Sequence, residues 1–168
     1  MRAEYINPFI SSLTNTFSTM LSQEVTRGEM WVKQDDAPLH EISGVIGLSG
    51  KAVGSVVLSL SAELAIKAAA HMLMTDINEV NDDVTDAVGE LANMVAGAAK
   101  AQLEELNMSV SLPNVITGAN HHVRFPSDVK PICIGFACDW GPLVLAVGRP
   151  GRRSGKRVTS SKPAAPVY

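Results

Sequence analysis

The segment Asp86-Ala-Val-Gly-Glu90-Leu-Ala-Asn93-Met-Val-Ala-Gly97-Ala-Ala-Lys100 decides how this 168-residue sequence is interpreted. Its apolar residues recur at helical spacing, which predicts one long helix over about 83–106, capped by Asn81 or Asp82. Because a helix turns about 100° per residue, one side of it collects polar residues and glycine: Asp86, Glu90, Asn93, Gly97, Lys100 and Glu104. The opposite side is predicted to face the core: Val84, Val88, Leu91, Val95, Ala99 and Leu106.

The polar side of this helix has an unusual composition for a surface that meets only water. An ordinary solvated face is the simplest interpretation, and spacing alone favours it. However, Asn93 suits an exposed helix interior poorly, and Gly89 and Gly97 each cost about 1 kcal/mol relative to alanine. Met94 adds a small apolar border beside the polar residues. Together these features predict a shallow groove that the backbone of another molecule approaches closely.

Glu90 and Asn93 lie one helical turn apart, so both side chains can enter the same site on a partner. A carboxylate can pair with a lysine, and a carboxamide can hold a water molecule by donating and accepting hydrogen bonds at once. The pair includes no nucleophile, no metal and no strong base. We therefore expect it to complete an active site that a partner supplies.

The remaining sequence predicts an α+β domain. Helices are predicted over 6–22, starting at Asn7-Pro8, and over 62–74, capped by Ser61. A first strand is predicted at 30–32 and a hairpin over 41–48 and 53–60. Further strands are predicted over 108–117, 121–125, 131–138 and 143–148, with the last two forming a second hairpin. This order, with its hairpins, favours α+β over a regularly alternating α/β fold.

Charge is divided unevenly along the chain. All 17 acidic residues lie at or before Asp139, whereas six of the 14 basic residues lie after 148, so residues 1–148 carry −9 and residues 149–168 carry +6. The acidic part is a poor nucleic-acid surface, because phosphate contacts require clustered Lys and Arg. Residues 149–168 are rich in Pro, Gly and Ser, which predicts a disordered basic tail after a domain of 1–148. The tail is either an electrostatic arm or a solubilising extension.

Other features exclude several classes of protein. No run reaches the roughly 18 apolar residues that a membrane span needs, so no membrane insertion is expected. The first residues lack the apolar segment of a signal peptide, so a cytoplasmic protein is expected. Cys133 and Cys138 are too few for a disulfide framework. His121 and His122 are adjacent and would face opposite sides of a strand, so no metal site is expected.

The Glu-x-x-Asn pattern of Glu90 and Asn93, preceded by Asp86, resembles the CheX branch of the CheC/CheX/FliY family. Members of this family are phosphatases of the bacterial chemotaxis response regulator CheY. Other resembling segments follow in the same order, over about residues 4–148: Ile6-Asn-Pro-Phe-Ile10, Val45-Ile-Gly-Leu-Ser-Gly50, Gly54-Ser-Val-Val-Leu-Ser59, Ser111-Leu-Pro-Asn-Val-Ile-Thr-Gly118 and Gly141-Pro-Leu143. The resemblance implies a fold of two or three layers, in which an antiparallel-rich mixed sheet packs with a long helix pair.

The resemblance also implies a mechanism and a partner. A phosphorylated CheY-like receiver would supply the phospho-Asp, Mg²⁺ and a lysine, and this chain would bind no cofactor itself. Glu90 would pair with that lysine and Asn93 would orient water for in-line attack, which is catalysis by positioning. A homodimer formed through the sheets is also implied. The partner-binding positions would be Asp86, Gly89, Met94, Gly97 and Lys100, with the two glycines letting the receiver backbone approach.

Three other functions stay open on the sequence. A non-catalytic module that binds or sequesters the phosphorylated receiver would need Glu90 but not Asn93. A scaffold similar to the flagellar-switch middle domains would depend on dimerisation and docking alone. A role in binding RNA or a membrane would depend on the basic residues of 149–168.

Overall fold

Three helices and seven strands form the part of the chain that the computed structural model describes, residues 3–34 and 39–149. The helices are α1 (Ala3–Leu21), α2 (Ala62–Leu73) and α3 (Asp82–Ala101), and a 3₁₀ turn covers Glu104–Leu106. The strands are β1 (Thr26–Val32), β2 (Ile42–Ser49), β3 (Gly54–Leu60), β4 (Ser109–Val110), β5 (Asn114–Thr117), β6 (Ile132–Cys138) and β7 (Gly141–Gly148). The predicted α+β class is confirmed.

The seven strands form one sheet in the order β1-β6-β7-β3-β2, and β4 and β5 follow one another along the outer edge of β2. The predicted hairpins β2–β3 and β6–β7 are both present. Every strand pair in the described residues is antiparallel, so the sheet there differs from the mixed sheet that we expected. Hairpin turns join β2 to β3 and β6 to β7, and parallel pairing of strands so close in sequence would have needed long crossover connections.

The helices share one core with alternate residues of β2, β3, β6 and β7. α1 and α3, which are 19 and 20 residues long, pack against each other and form the long helix pair. α1 begins earlier than predicted, at Ala3, with Pro8 inside it. Ile6 and Phe9 are both buried, and their packing holds the first turns although Pro8 removes a backbone donor.

α3 has the predicted cap but is shorter than predicted. The Oδ1 atom of Asn81 accepts a hydrogen bond from the backbone N–H of Val84 at 3.0 Å. The helix ends at Ala101, where the chain tightens into the 3₁₀ turn and then reverses at Asn107, which has a φ of 44°. The predicted core face is buried from Val84 to Ala99, whereas Leu106 lies beyond the helix and is half-buried.

Residues 121–125 are irregular, so the strand predicted there is wrong. Side-chain hydrogen bonds replace a strand ladder: the two ring nitrogens of His121 lie 2.7 Å from Ser43 Oγ and 2.7 Å from the Gly118 carbonyl oxygen. Ser43 Oγ in turn lies 2.8 Å from Ser59 Oγ. These bonds hold the segment over the second face of the sheet, where Val123 packs against a small apolar cluster.

The predicted tail and its boundary with the domain stay predictions, because residues 150–168 lie outside the described residues. None of the helices in the described part of the chain is long and apolar enough to cross a membrane.

Candidate functional site

One side of α3 is open to solvent over most of its length. Asp86, Glu90 and Lys100 are exposed, and Asn93 and Gly97 are half-buried, so the structure brings together the polar residues that the helical spacing predicted. Within the described residues, neither the carboxylate of Glu90 nor the carboxamide of Asn93 has a hydrogen-bond or ion-pair partner. Both groups are therefore available to a docked molecule.

A groove of about 510 Å³ begins at Asn93 and runs toward the C-terminal end of α3. Its lining comprises Asn93, Gly97, Lys100, Ala101, Glu104, Asn107, Met108 and Val110. The last five of these were not among the predicted site residues, and the last three, Asn107, Met108 and Val110, come from the turn after α3 and from β4. Pairing of β4 with β2 brings them beside the helix, and no spacing rule within α3 could have identified them.

The two glycines of α3 have different surroundings. A Cβ on Gly97 would meet no atom within 4 Å, so the space beside it is open, as predicted. Gly89 is buried, and a Cβ there would lie 3.3 Å from Val115 and 3.4 Å from Pro113. Its missing side chain makes room for β5 of the same chain. We expected Gly89 to be an accessible docking position, and that prediction is wrong. Met94 is half-buried.

The exposed side of α3 is predominantly acidic. Asp82 and Asp83 occupy the first turn, where negative charge interacts favourably with the helix dipole. Asp86 and Glu90 extend the acidic surface, and Lys100 adds one positive charge in the last turn. This surface favours a partner that presents a cation, such as a lysine, at the position of Glu90.

Among the described residues there is no cluster of metal-ligating side chains, and the buried Cys133 thiol is not activated. No group of three or more His, Cys, Asp or Glu side chains among them could hold a metal ion. Burial raises the pKa of the Cys133 thiol to about 11, so this cysteine stays protonated near neutral pH and is a poor nucleophile.

The sequence and the fold both match known chemotaxis proteins. The sequence profile of the family described as "Chemotaxis phosphatase CheX" matches residues 42–137. The CheY-P phosphatase CheX of Thermotoga maritima is 31% identical over 128 residues, which is 74% of this chain and 82% of that protein.

Two solved structures illustrate the likeness of the fold. A CheC-like superfamily protein from Shewanella sp. PV-4 is 32% identical with a TM-score of 0.83, over 90% of this chain and 100% of that one. CheX in the CheX–CheY–BeF3–Mg²⁺ complex from Borrelia burgdorferi is 20% identical with a TM-score of 0.74, over 89% and 100%, and shows the fold alone. With the family profile spanning more than half of the chain, these matches lead to one conclusion. The chain belongs to the CheX family of chemotaxis phosphatases.

Proposed function

We propose that this protein dephosphorylates the aspartyl phosphate of a CheY-type response regulator in chemotaxis signalling, with the exposed side of α3 as its docking surface. The relative from Thermotoga maritima is named a CheY-P phosphatase. The site is assigned from the spacing, the exposure and the unpaired polar groups of Glu90 and Asn93. They stand one helical turn apart, reach solvent, and make no hydrogen bond or ion pair within the described residues.

Asn93 orients the attacking water in this proposal. Its carboxamide can accept a hydrogen bond from a water and donate one to a phosphoryl oxygen at the same time. Asn93 is half-buried at the head of the groove, which limits the conformations of its side chain. Phosphoryl transfer depends mainly on in-line positioning and charge stabilisation. A water held in line by a rigid helix avoids most of the entropy cost of that alignment.

Glu90 anchors the receiver by pairing with its lysine. An exposed ion pair contributes little in water, but docking excludes water from the pair and strengthens it. Asp86 lies one turn earlier on the same side and adds to the negative potential that attracts the cation. The receiver supplies the phospho-Asp and Mg²⁺. The solved complex from Borrelia burgdorferi contains CheX, CheY, Mg²⁺ and BeF3, which is a mimic of a phosphoryl group. Such a substrate places the activity in the cytoplasm.

A homodimer formed through β1 is part of the proposal. β1 is the last strand on its side of the sheet, and all seven of its residues are exposed. Met30, Trp31 and Val32 are 44%, 40% and 44% exposed, which is unusual for large apolar residues in an edge strand. An unprotected apolar edge is a template for pairing with another strand. A second copy of β1 would cover these side chains and continue the sheet.

The test is the rate at which a purified CheY-type receiver, phosphorylated with acetyl phosphate and freed of the donor, loses its phosphate with and without this protein. Wild-type protein accelerates the loss. Asn93→Ala lowers this acceleration on the order of 100-fold, because the water is no longer held, but binds the beryllofluoride-treated receiver nearly as well as wild type. Glu90→Gln weakens binding and acceleration together. Matched controls are Asn15→Ala on α1 and Glu105→Gln, which change exposed residues away from the Glu90–Asn93 pair.

The same experiment separates the other functions. A sequestering module would bind the beryllofluoride-treated receiver and leave its dephosphorylation rate unchanged. Full acceleration by Asn93→Ala would show that this residue does not position water. Co-sedimentation with flagellar-switch components, in the absence of any effect on the receiver, would favour a scaffold.

A further inference from the structure

The sheet edge beside α3 contains one extra residue between β4 and β5. On the β4 side Ser111 lies opposite Gly47, and on the β5 side Asn114 lies opposite Val45. The two residues between Ser111 and Asn114 therefore face a single residue of β2. This arrangement is a β-bulge, and bulges at sheet edges next to functional sites redirect a side chain away from the ladder. The redirected residue here is Leu112.

Hydrogen bonds and a proline fix the backbone around Leu112. The Ser111 N–H donates to the Gly47 carbonyl at 2.9 Å, and Ser111 Oγ accepts from the Gly47 N–H at 2.8 Å. The Ser111 hydroxyl also donates to the carbonyl oxygen of Leu112 at 2.9 Å. Pro113 follows directly and has a restricted φ. Leu112 is thus held on a rigid turn although the residue is 86% exposed.

This turn adjoins the polar side of α3. The Cβ position of Gly89 lies 3.4 Å from Pro113 Cγ, and Gly89 immediately precedes Glu90. Val110, two residues before Leu112, lines the same groove as Asn93. Leu112 therefore lies at the border of the α3 surface that is formed by the sheet edge. A single exposed leucine needs no explanation in general, but a rigidly held one beside a docking surface has the features of a binding hot spot.

The α3 surface alone is too small for stable docking. The stretch from Asp86 to Gly97 is about 17 Å long and about 10 Å wide, whereas a typical complex buries about 800 Å² on each partner. The receiver must therefore also cover neighbouring elements. Among the described apolar residues at that border, Leu112 has the largest exposed fraction. Docking of the receiver could remove this apolar surface from water.

We infer that Leu112 is an apolar contact for the phosphorylated receiver and sets its affinity without taking part in the chemistry. The inference rests on the proposed function, since it assumes that the receiver docks on α3. The receiver surface next to its phosphorylation site meets Leu112 while Glu90 and Asn93 reach the phosphoryl group. Leu112 is a binding residue: its contact is equally strong in the ground state and the transition state, so it affects KM more than kcat.

The experiment measures the dephosphorylation rate against the concentration of the phosphorylated receiver. Leu112→Ser raises KM about tenfold, the size expected for one buried apolar anchor, and lowers kcat less than about twofold. Leu112→Met restores KM to within about threefold of wild type, because it presents a similar apolar surface. The matched control is Val53→Ser, which changes another exposed apolar residue beyond the C-terminal end of α3 and leaves KM unchanged.

The outcomes distinguish this inference from the proposed function. An unchanged KM in Leu112→Ser, with wild-type acceleration intact and acceleration lost in Glu90→Gln, overturns the role of Leu112 and leaves the function standing. A tenfold lower kcat at unchanged KM also overturns it. If wild-type protein neither accelerates dephosphorylation nor binds the beryllofluoride-treated receiver, both proposals fail. Because Leu112 is exposed, the Leu112→Ser variant is expected to unfold at the same temperature as wild type. Thermal unfolding therefore checks that the fold of the variant is intact.

Discussion

The Cβ of Ala92 on α3 lies 2.8 Å from the position that a Cβ on Gly44 of β2 would occupy. The Val88 carbonyl oxygen lies 3.3 Å from the same point. Glycine at position 44 therefore allows α3 to lie directly on the sheet. Because Ala92 lies between Glu90 and Asn93 in the sequence, this contact sets the height of the Glu90–Asn93 pair above the sheet. A feature of the core thus positions the functional surface on the other side of the helix.

Gly44→Ala is expected to lower the free energy of unfolding by about 1–3 kcal/mol, because the added methyl group overpacks a fixed contact. Gly47→Ala on the same strand is the matched control, since a Cβ there would meet only Ser111, at 3.4 Å or more. Urea denaturation of both variants measures the difference. An equal loss in the two would mean that the Gly44–Ala92 contact can relax.

Gly97→Ala is expected to raise the free energy of unfolding by up to about 1 kcal/mol, because alanine is the better helix former and the site has room for a methyl group. The same methyl group would narrow the groove where the receiver approaches, so dephosphorylation falls severalfold while stability rises. Thermal unfolding and the phosphatase assay on one preparation test both effects. A stabilised variant with full activity would show that the receiver backbone does not approach Gly97.

Trp31→Lys is expected to convert a dimer into a monomer. A lysine at position 31, between the exposed Met30 and Val32 of β1, would place a charge where a second strand has to pack. Sedimentation velocity at several concentrations measures the association state of wild type and variant. Val53→Lys changes an exposed residue away from β1 and should leave the dimer intact. Wild-type protein that sediments as a monomer at all concentrations would contradict the role of β1.

His40 is expected to make the protein less stable at mildly acidic pH. Burial lowers the pKa of its imidazole from the ordinary value, and the nearby Glu41 carboxylate opposes this more weakly. The folded state therefore favours neutral His40. Its contribution to stability is fully present above the unfolded pKa of about 6.5 and is lost as the pH falls through the folded pKa. His40→Gln should show a smaller drop in urea midpoint between pH 7.5 and 5.5, and an identical drop would contradict the prediction.

Most of the fold could be predicted from local patterns. The β2–β3 and β6–β7 hairpins, the Ser61 cap of α2 and the Asn81 cap of α3 all depend on residues that are close in sequence. The strand predicted at 121–125 was wrong for the opposite reason. His121 is bonded to Ser43, which is 78 residues away, and that contact replaces the ladder its local sequence suggested.

The sequence by itself determined the helix of the functional site and which of its residues share a side, because helical periodicity depends only on spacing along the chain. It therefore placed Glu90 and Asn93 together and identified the core face. Only the tertiary structure decided what borders that helix. Gly89 is covered by β5 rather than open to a partner, and the bulge that exposes Leu112 exists because β4 and β5 pair with β2 in registers that differ by one residue. Pairing between distant segments has no local period, so no pattern within α3 could reveal it.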